Sequence, residues 1–269
     1  MRKQSDMLKY CSNWYESLSG QSSLLALEDI CTDIMSEVFG YYAIETGVLS
    51  GHYNLLQHSR IAAGFSLVDK NTAEIIKGEI DNKNYSVLST PEQLPVSTDN
   101  IDLVVASHVL ESSKNPHQIL REIDRVLVPE GHCVLIGFNP FALSHAGAHI
   151  GKYLRSGFKR ESHHYKMHSV HRIHDWFSLL GFDVVDVNYL GFRPSVKNKK
   201  IFEGLAWMDN VGSYMGPIMG SMYVVHAKKR VIAMRPDKKV WMAPAVLSGG
   251  KVALNRTAQR VRRENFYNQ

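Results

Sequence analysis

The sequence predicts an α/β fold with a doubly wound, mostly parallel sheet. Residues 101–106 and 133–137 are short, mostly apolar runs, as expected for strands that are buried on both faces. Between them, the apolar residues of the segment 119–127 recur at helical spacing, and a Pro-Glu-Gly sequence follows at 129–131. A strand, an amphipathic helix and a second strand in this order form a right-handed βαβ unit, the building block of a parallel sheet.

The first half of the same sheet is predicted upstream. The pattern predicts a first strand that enters a glycine-containing turn over 44–51, a helix over 52–63, a strand over 65–69, a helix over 72–80 and a strand over 85–88. Asp69 ends the second of these strands, about 20 residues after the turn. Nucleotide-binding α/β folds place a carboxylate there to bind the two hydroxyls of a ribose. Asp69 is therefore a candidate binding residue.

The two ends of the chain differ from this central part. Residues 39–234 are predicted to form the α/β domain, and residues 235–269 a basic, loosely ordered tail, because the tail has no sustained periodicity. Residues 1–38 are predicted as an N-terminal helical extension. The apolar positions that follow helical spacing in this extension, with acids between them, are Leu27, Ile30, Ile34 and Val38.

Composition indicates a single core and a protein that stays where it is made. The chain has 269 residues and is 44% hydrophobic, enough for one core of roughly 200 residues. No apolar run approaches the roughly 20 residues that span a bilayer, and residues 1–6 are not followed by the apolar stretch of a secretion signal. Cys11, Cys31 and Cys133 are odd in number and scattered, so neither disulfides nor a zinc site is expected. These observations predict a cytoplasmic protein without a membrane span.

The net charge of +5 is divided unevenly along the chain. Residues 228–269 contain 11 Lys and Arg against 2 acids, a net charge of +9, whereas the residues before them contain 20 against 24, a net charge of −4. Such a tail either binds RNA or an acidic partner through phosphate contacts, or only keeps the protein soluble. The sequence leaves both interpretations open, because the tail carries no RNA-binding motif.

The central block also carries a recognisable order of motifs. They are Glu92-Gln-Leu-Pro95, Asp99-Asn-Ile-Asp-Leu-Val-Val105, His108-Val-Leu-Glu111, the helix over 120–127 and Pro129-Glu-Gly131. In this order and spacing they resemble the post-motif-I signature of the class I S-adenosylmethionine-dependent methyltransferases, type 11 (UbiE-like) group, and within it the bacterial YafS-type proteins. The resemblance covers about residues 39–187. It implies a Rossmann-like sheet of seven strands whose last strand spans 221–227.

The resemblance also implies which residues bind the cofactor, S-adenosylmethionine. The loop after the first strand would hold the methionine part of the cofactor, and the acid after the second strand would bind its ribose. The segment after the third strand would border the adenine. The residues after the fourth strand would face the methyl group. At these positions stand Glu45, Thr46, Gly47 and Gly51, then Asp69, then Thr90, Pro91 and Glu92, and finally Ser107 and His108. His108 is the candidate catalytic base, because imidazole titrates near neutral pH. The alternative is that it only shapes the pocket.

Two positions depart from the family pattern. The first loop of the family usually reads acid-x-Gly-x-Gly-x-Gly, but Leu49 stands at the middle glycine. A leucine is tolerated there only if the loop is displaced or the cofactor sits differently. Thr90 stands where the family commonly has the acid that accepts the adenine amine. A domain that has kept the fold and lost the chemistry is therefore an alternative.

Histidines recur at intervals of three and four between residues 145 and 174. Three interpretations are open for them: a metal site, a lining for the substrate, or exposed positions on a helix. No acid or cysteine accompanies them at ligand spacing, and the family uses no metal for methyl transfer, so no metal site is predicted. The histidines concerned are His145, His149, His164, His168, His171 and His174.

The predicted function is transfer of a methyl group from S-adenosylmethionine to a small or lipid-like molecule. The N-terminal helices either roof the cofactor cleft, with Trp14 or Tyr15 over the methyl site, or simply pack on the sheet. Two alternatives remain: an RNA methyltransferase that uses the basic tail as an anchor, and a non-catalytic methyltransferase-like protein that binds or assembles with others.

Overall fold

A seven-stranded sheet is the centre of the fold in a computed structural model that describes residues 2–50, 53–69, 85–142, 166–194, 196, 198–215 and 220–230. The strands are β1 (Tyr42–Gly47), β2 (Ala63–Val68), β3 (Tyr85–Leu88), β4 (Ile101–Ser107), β5 (Leu127–Phe138), β6 (Phe182–Leu190) and β7 (Met222–Lys229). Their order is β3-β2-β1-β4-β5-β7-β6. The first five run parallel, and β7 is antiparallel to β5 and β6. The predicted fold class is confirmed.

Helices cover both faces of this sheet. They are α1 (Arg2–Tyr15), α2 (Leu18–Ser36), α3 (Val109–Ser112), α4 (Pro116–Val126), α5 (Val170–Leu179), α6 (Lys199–Gly204) and α7 (Trp207–Met215). Pro116 is the first residue of α4. The backbone N–H at this position has no acceptor within the helix, so a proline, which lacks this group, costs no hydrogen bond there. Within the described residues, no helix is both long enough and apolar enough to cross a membrane.

The core consists of two apolar layers, one on each face of the sheet. Successive residues of β4 alternate between them, with Leu103 and Val105 in one layer and Val104 and Ala106 in the other. The first layer includes buried side chains of α1 and α2, and the second includes those of α4 and α5. Helices α1 and α2 therefore pack on the sheet and share its core.

The predicted helix over 52–63 is wrong for the part that the structure describes. Residues 53–62 form turns, with backbone hydrogen bonds such as Gln57 N–H to Asn54 C=O at 3.2 Å and Ser59 N–H to Leu56 C=O at 2.9 Å. Leu55 and Leu56 are both buried, but the polar residues around them favour turns over a helix. The helix predicted over 72–80 lies outside the described residues.

All three cysteines are buried and unpaired. Burial raises the pKa of the Cys31 and Cys133 thiols to about 12 and the pKa of the Cys11 thiol well above its usual value. Because the thiolate is the reactive form, these residues act as small apolar side chains of the core at neutral pH.

A histidine pair on β5 and β7 makes stability depend on pH. His132 Nδ1 lies 2.8 Å from His226 Nε2, and the rings stack. Burial lowers the pKa of both, and with the nearby charges of His226 and Lys228 it brings the pKa of His132 to about 4. Between the ordinary value of 6.5 and 4, the unfolded chain binds more protons than the folded chain. The free energy of unfolding therefore falls as the pH falls through this window.

We expect this loss to reach about 1–2 kcal/mol, because the partial exposure of His132 reduces the full linkage value. Urea unfolding of the wild type and of His132→Gln between neutral pH and pH 4 measures it. The variant should lose less stability than the wild type over this range. Equal pH dependence in the two proteins would contradict the expectation.

Candidate active site

The carboxyl ends of three central strands meet at one edge of the sheet. Thr46 of β1 pairs with Leu67 of β2 and with Ala106 of β4, so these strands end at nearly the same level. Asp69 follows β2 and His108 follows β4 directly. The crevice outside the carboxyl ends of parallel strands is where open α/β sheets bind ligands. The structure thus brings sequence-predicted site residues of β1, β2 and β4 to a single edge.

Ser107, the last residue of β4, holds the loop that follows β1. Its carbonyl oxygen accepts the Val48 N–H at 2.9 Å, and its hydroxyl oxygen accepts the Leu49 N–H at 3.0 Å. The same hydroxyl donates to the carbonyl of the buried Thr46 at 3.2 Å. The loop is therefore fixed over the end of β4, and the N–H groups of Val48 and Leu49 are used inside the protein.

The leucine in the glycine loop is a core residue. Leu49 is 1% exposed and belongs to the apolar layer that packs against α1 and α2. One glycine of the loop remains constrained, because Gly47 has a φ of 109° and a Cβ atom there would lie 1.9 Å from the Ser107 carbonyl oxygen. Gly51 lies outside the described residues. The loop after β1 thus keeps a tight glycine turn and continues into the core.

Two of the predicted carboxylates are buried at this edge. Glu45 is 2% exposed, and its carboxylate accepts a hydrogen bond from the Ser66 hydroxyl of β2 at 2.5 Å. Asp69 is 7% exposed. A carboxylate accepts two donors at once, which matches the two hydroxyls of a ribose. Asp69 therefore has the place and the chemistry of a ribose acceptor.

The segment after β3 forms a short turn. Thr90 is exposed and pairs with Gln93 in an isolated bridge, and Pro91 is buried. The Glu92 carboxylate accepts a hydrogen bond from the Ser113 hydroxyl at 2.6 Å, which joins this turn to the segment after α3. The turn is thus held in place by Glu92, a residue that the methyltransferase resemblance assigns to the border of the adenine.

Helix α1 brings Tyr15 to the end of β4. The Tyr15 hydroxyl lies 2.5 Å from His108 Nε2, and both residues are buried, at 5% and 0% exposed. Tyr15 is the last residue of α1, and the corner that follows is fixed by Ser17. The Ser17 hydroxyl donates to the Trp14 carbonyl at 2.6 Å, and its oxygen accepts the Gly20 N–H at 3.1 Å. The corner between the two helices therefore sets the position of Tyr15.

Glu111 and Phe138 lie beside the His108 ring. The imidazole stacks on the Phe138 ring with centroids 4.3 Å apart, and its Nδ1 lies 3.7 Å from the Glu111 carboxylate. Glu111 also accepts the Phe138 N–H at 2.8 Å. His108 adopts a left-handed backbone conformation, with a φ of 52°, and its N–H donates to the Ile136 carbonyl at 2.9 Å. Tyr15, His108 and Glu111 thus follow one another as a buried chain, in which Tyr15 and His108 share a hydrogen bond, whereas Glu111 is close to Nδ1 without a hydrogen bond to it.

Burial raises the pKa of the Tyr15 hydroxyl well above its usual value, and the nearby Cys11 and Glu111 side chains raise it further. The hydroxyl therefore keeps its proton at neutral pH and can donate it to His108. In the tautomer with the proton on Nδ1, the Nε2 atom of His108 is free to accept this hydrogen bond.

A cavity of about 340 Å³ lies between the helix corner and the loop after β1. Tyr15 is part of the wall of this cavity. His108, the partner of the Tyr15 hydroxyl, is fully buried. The remaining wall combines apolar and polar side chains, namely Val48, Leu49, Tyr53, Ser12, Glu16 and Gln21. A molecule in this cavity would contact Tyr15, which in turn contacts His108.

Two members of the buried chain were not among the predicted site residues. The sequence predicts Glu111 only as part of the methyltransferase motif His108-Val-Leu-Glu111. An acid three residues after a histidine at a short helix is nevertheless a signal that the two side chains lie close together. Tyr15 was considered only as a roof for the methyl site. Its partner stands 93 residues away along the chain, and no local pattern links the two.

Part of the histidine series is described by the structure. His168 is buried against Trp176, with ring centroids 4.9 Å apart, and burial lowers its pKa. His171 and His174 lie exposed on α5. Among the residues that the structure describes, no three His, Cys, Asp or Glu side chains are arranged to hold a metal. His145, His149 and His164 lie outside the described residues.

Residues 46–135 match a family model described as a methyltransferase domain. The match supports a class I methyltransferase domain of the type 11 group over these residues. The matched segment begins in β1 and ends in β5, so the methyltransferase domain contains the loop after β1, Asp69, His108 and Glu111. The domain implies S-adenosylmethionine as its cofactor.

Relatives and solved structures agree with this methyltransferase domain. The uncharacterized protein YafS of Escherichia coli (strain K12) is 25% identical over 224 residues, which are 82% of each chain. A methyltransferase from Thermotoga maritima, dependent on S-adenosylmethionine, has a TM-score of 0.56 at 16% identity, over 85% of this chain and 99% of its own. A methyltransferase from Archaeoglobus fulgidus, also dependent on S-adenosylmethionine, has a TM-score of 0.50 at 14% identity, over 77% of this chain and 95% of its own. These structures share the fold.

The cyclase SpnF has the same fold. It has a TM-score of 0.50 to this chain at 14% identity, over 77% of this chain and 81% of its own. Because its described activity is a cyclisation, a methyltransferase-like fold also hosts other chemistry. The function must therefore be argued from the side chains of the site.

Proposed function

We propose that this protein binds S-adenosylmethionine at the carboxyl ends of β1, β2 and β4 and transfers its methyl group to a small or lipid-like molecule. The buried chain Tyr15–His108–Glu111, which ends at the wall of the cavity, carries the proposal. A chain of this kind takes up a proton, and methylation of a hydroxyl or amine releases one.

The residues present fit the ribose end of the cofactor. Asp69 supplies a buried carboxylate directly after β2, as the diol requires. Gly47 allows the backbone to turn sharply over β4, where the methionine end would bind. When bound, the cofactor supplies a methyl group on a sulfonium, which leaves with the bonding electrons as a thioether.

The protein's own residues would position the acceptor and remove its proton. An acceptor in the cavity would contact Tyr15. As its oxygen or nitrogen forms the bond to the methyl carbon, its proton would pass to Tyr15 Oη, and the Tyr15 proton would pass to His108 Nε2. Glu111, 3.7 Å away, would stabilise the resulting imidazolium. In this assignment Tyr15 touches the acceptor, and His108 acts behind it.

The dimensions of the cavity support a small or lipid-like acceptor. It is an open cavity bounded by the corner of α1 and α2 and by the loop after β1, and its volume of about 340 Å³ suits a molecule of modest size. Tyrosine rings and aliphatic side chains form part of the wall. Such a wall favours an acceptor with an apolar body and one reacting polar group.

One observation favours a second candidate, a non-catalytic methyltransferase-like binding protein. The N–H groups of Val48 and Leu49 donate to Ser107, although the glycine loop of this family should offer its backbone to the cofactor. In this candidate the domain keeps the fold and binds a partner without methyl transfer.

Titration calorimetry with S-adenosylmethionine and its demethylated product separates the two candidates. We expect both ligands to bind, with Asp69→Asn weaker by about 1–3 kcal/mol, roughly 5- to 150-fold, because a charged acceptor is lost. Asp183→Asn, an exposed acid at the start of β6, is the matched control and should bind as the wild type does. No heat of binding from the wild type at millimolar ligand would leave only the non-catalytic candidate. Equal affinities for the wild type and Asp69→Asn would place the ribose elsewhere.

Transfer itself is tested with cofactor labelled on the methyl group. The protein is incubated with an organic extract and with an aqueous small-molecule extract of cells, and the labelled product is separated by chromatography. Label in a product of either extract supports the proposal. Label found only in added RNA would support the alternative of an RNA methyltransferase.

A further inference from the structure

Helices α6 and α7 expose a row of large apolar side chains. Ile201, Trp207, Val211 and Tyr214 are 52%, 59%, 44% and 93% exposed. The last three are four and three residues apart on α7, so they lie on one side of that helix. We name these four side chains the α6–α7 face. Soluble proteins seldom expose such a cluster unless it binds something.

The helix pair is anchored by the side opposite to this face. Phe202 of α6 is buried, and the Arg193 guanidinium lies 5.0 Å from the centre of its ring. Arg193 Nε donates to the Asp209 carboxylate of α7 at 2.7 Å. These contacts join both helices to the end of β6. The α6–α7 face is therefore a surface on an element whose inner side is already packed.

The charge of this region differs from that of its surroundings. Residues 191–215 contain four Lys and Arg against two acids, a net charge of +2. The other residues before 228 contain 16 against 22, a net charge of −6. Lys199 has a side chain that is 77% exposed, and Lys200 is exposed beside it at the start of α6. Lys199 lies 3.9 Å from the Glu203 carboxylate and Arg193 pairs with Asp209, so the net positive charge of this segment comes from its two further lysines. The segment that carries the α6–α7 face is therefore positive on an otherwise acidic body, which favours a negatively charged partner surface.

The residue types on this face match one kind of partner. Trp and Tyr side chains have an apolar body and a polar group, and they collect where hydrocarbon meets water at a membrane surface. Lysines beside them bind anionic lipid headgroups, each with about 1 kcal/mol. We propose that the α6–α7 face binds the surface of an anionic phospholipid bilayer. The inference does not depend on methyl transfer.

Vesicle sedimentation tests the proposal with the full chain. The probes are dense vesicles of phosphatidylcholine alone and of phosphatidylcholine mixed with phosphatidylglycerol. We expect the protein to sediment with the mixed vesicles and much less with the neutral ones. The double variant Trp207→Ser, Tyr214→Ser should bind the mixed vesicles about tenfold more weakly, because two aromatic side chains no longer enter the interface. Lys199→Glu with Lys200→Glu should also weaken binding and reduce its salt dependence.

The matched control is Leu179→Ser. Leu179 is 83% exposed on α5, so this variant also removes an exposed apolar side chain, but away from the α6–α7 face. It should bind the vesicles as the wild type does, and urea unfolding checks that all variants are folded. Three outcomes would overturn the proposal: no binding to mixed vesicles, equal binding by the aromatic double variant, or self-association of the wild type that this variant loses.

Discussion

Gly47→Ala is expected to lower the free energy of unfolding by about 3–5 kcal/mol. Gly47 has a φ of 109°, a conformation that a residue with a Cβ atom rarely adopts. A Cβ atom would also lie 1.9 Å from the Ser107 carbonyl oxygen, which is backbone and cannot rotate away. The loop would have to lift from β4 and lose the hydrogen bonds of Val48 and Leu49. Urea unfolding followed by circular dichroism measures the loss.

Gly204→Ala is the control for this experiment. Gly204 lies at the end of α6, and a Cβ atom there would meet nothing within 4 Å. The change should be neutral or stabilise the protein by up to about 1 kcal/mol, because alanine favours the helix. If Gly47→Ala cost less than about 1 kcal/mol, the close contact between the loop and β4 would be absent in solution.

Tyr15→Phe is expected to reduce methyl transfer by about a hundredfold or more, the usual contribution of a proton-transfer group. The change keeps the ring in the cavity wall and removes the hydroxyl that contacts His108. Cofactor affinity should not change, so the loss should fall on kcat. The assay uses labelled cofactor and the acceptor from the extract experiment, with kcat and KM measured over a range of pH.

Tyr53→Phe provides the comparison. Tyr53 lines the same cavity, with its ring centroid 6.4 Å from that of Tyr15, so both variants lose a hydroxyl from one pocket. Of these two tyrosines, Tyr15 is the one whose hydroxyl lies within hydrogen-bond distance of His108. His108→Gln should resemble Tyr15→Phe, because it removes the group that receives the proton. Similar small losses of methyl transfer in Tyr15→Phe and Tyr53→Phe would contradict this expectation. The Tyr15 hydroxyl would then only help to hold α1 in place.

The parts of the fold that the sequence predicted are those whose pattern is local. The unit β4–α4–β5 follows from two apolar runs and one amphipathic helix, and each is complete within about a dozen residues. The segment 52–63 was misjudged because two adjacent leucines resemble the buried side of a helix, while its polar residues favour turns.

The candidate site was only partly predictable, because its contacts join distant segments. Asp69 follows from its place at the end of a predicted strand. The sequence shows that Leu49 replaces a glycine, but only the structure shows that this side chain enters the core. The contact between Tyr15 and His108 depends on how α1 crosses the sheet, which no spacing within either segment encodes.

The position of Tyr15 has a consequence for when the site forms. Tyr15 contacts His108 and, through its hydroxyl, the Met222 sulfur at 3.8 Å, which are 93 and 207 residues further along the chain. Contacts so distant in sequence form late, because a long loop must close before they can be made. During synthesis α1 leaves the ribosome before the sheet does, yet its last residue completes these two contacts only once Met222 of β7 has been made. A growing chain therefore lacks the full set of Tyr15 contacts until nearly all of the sheet exists.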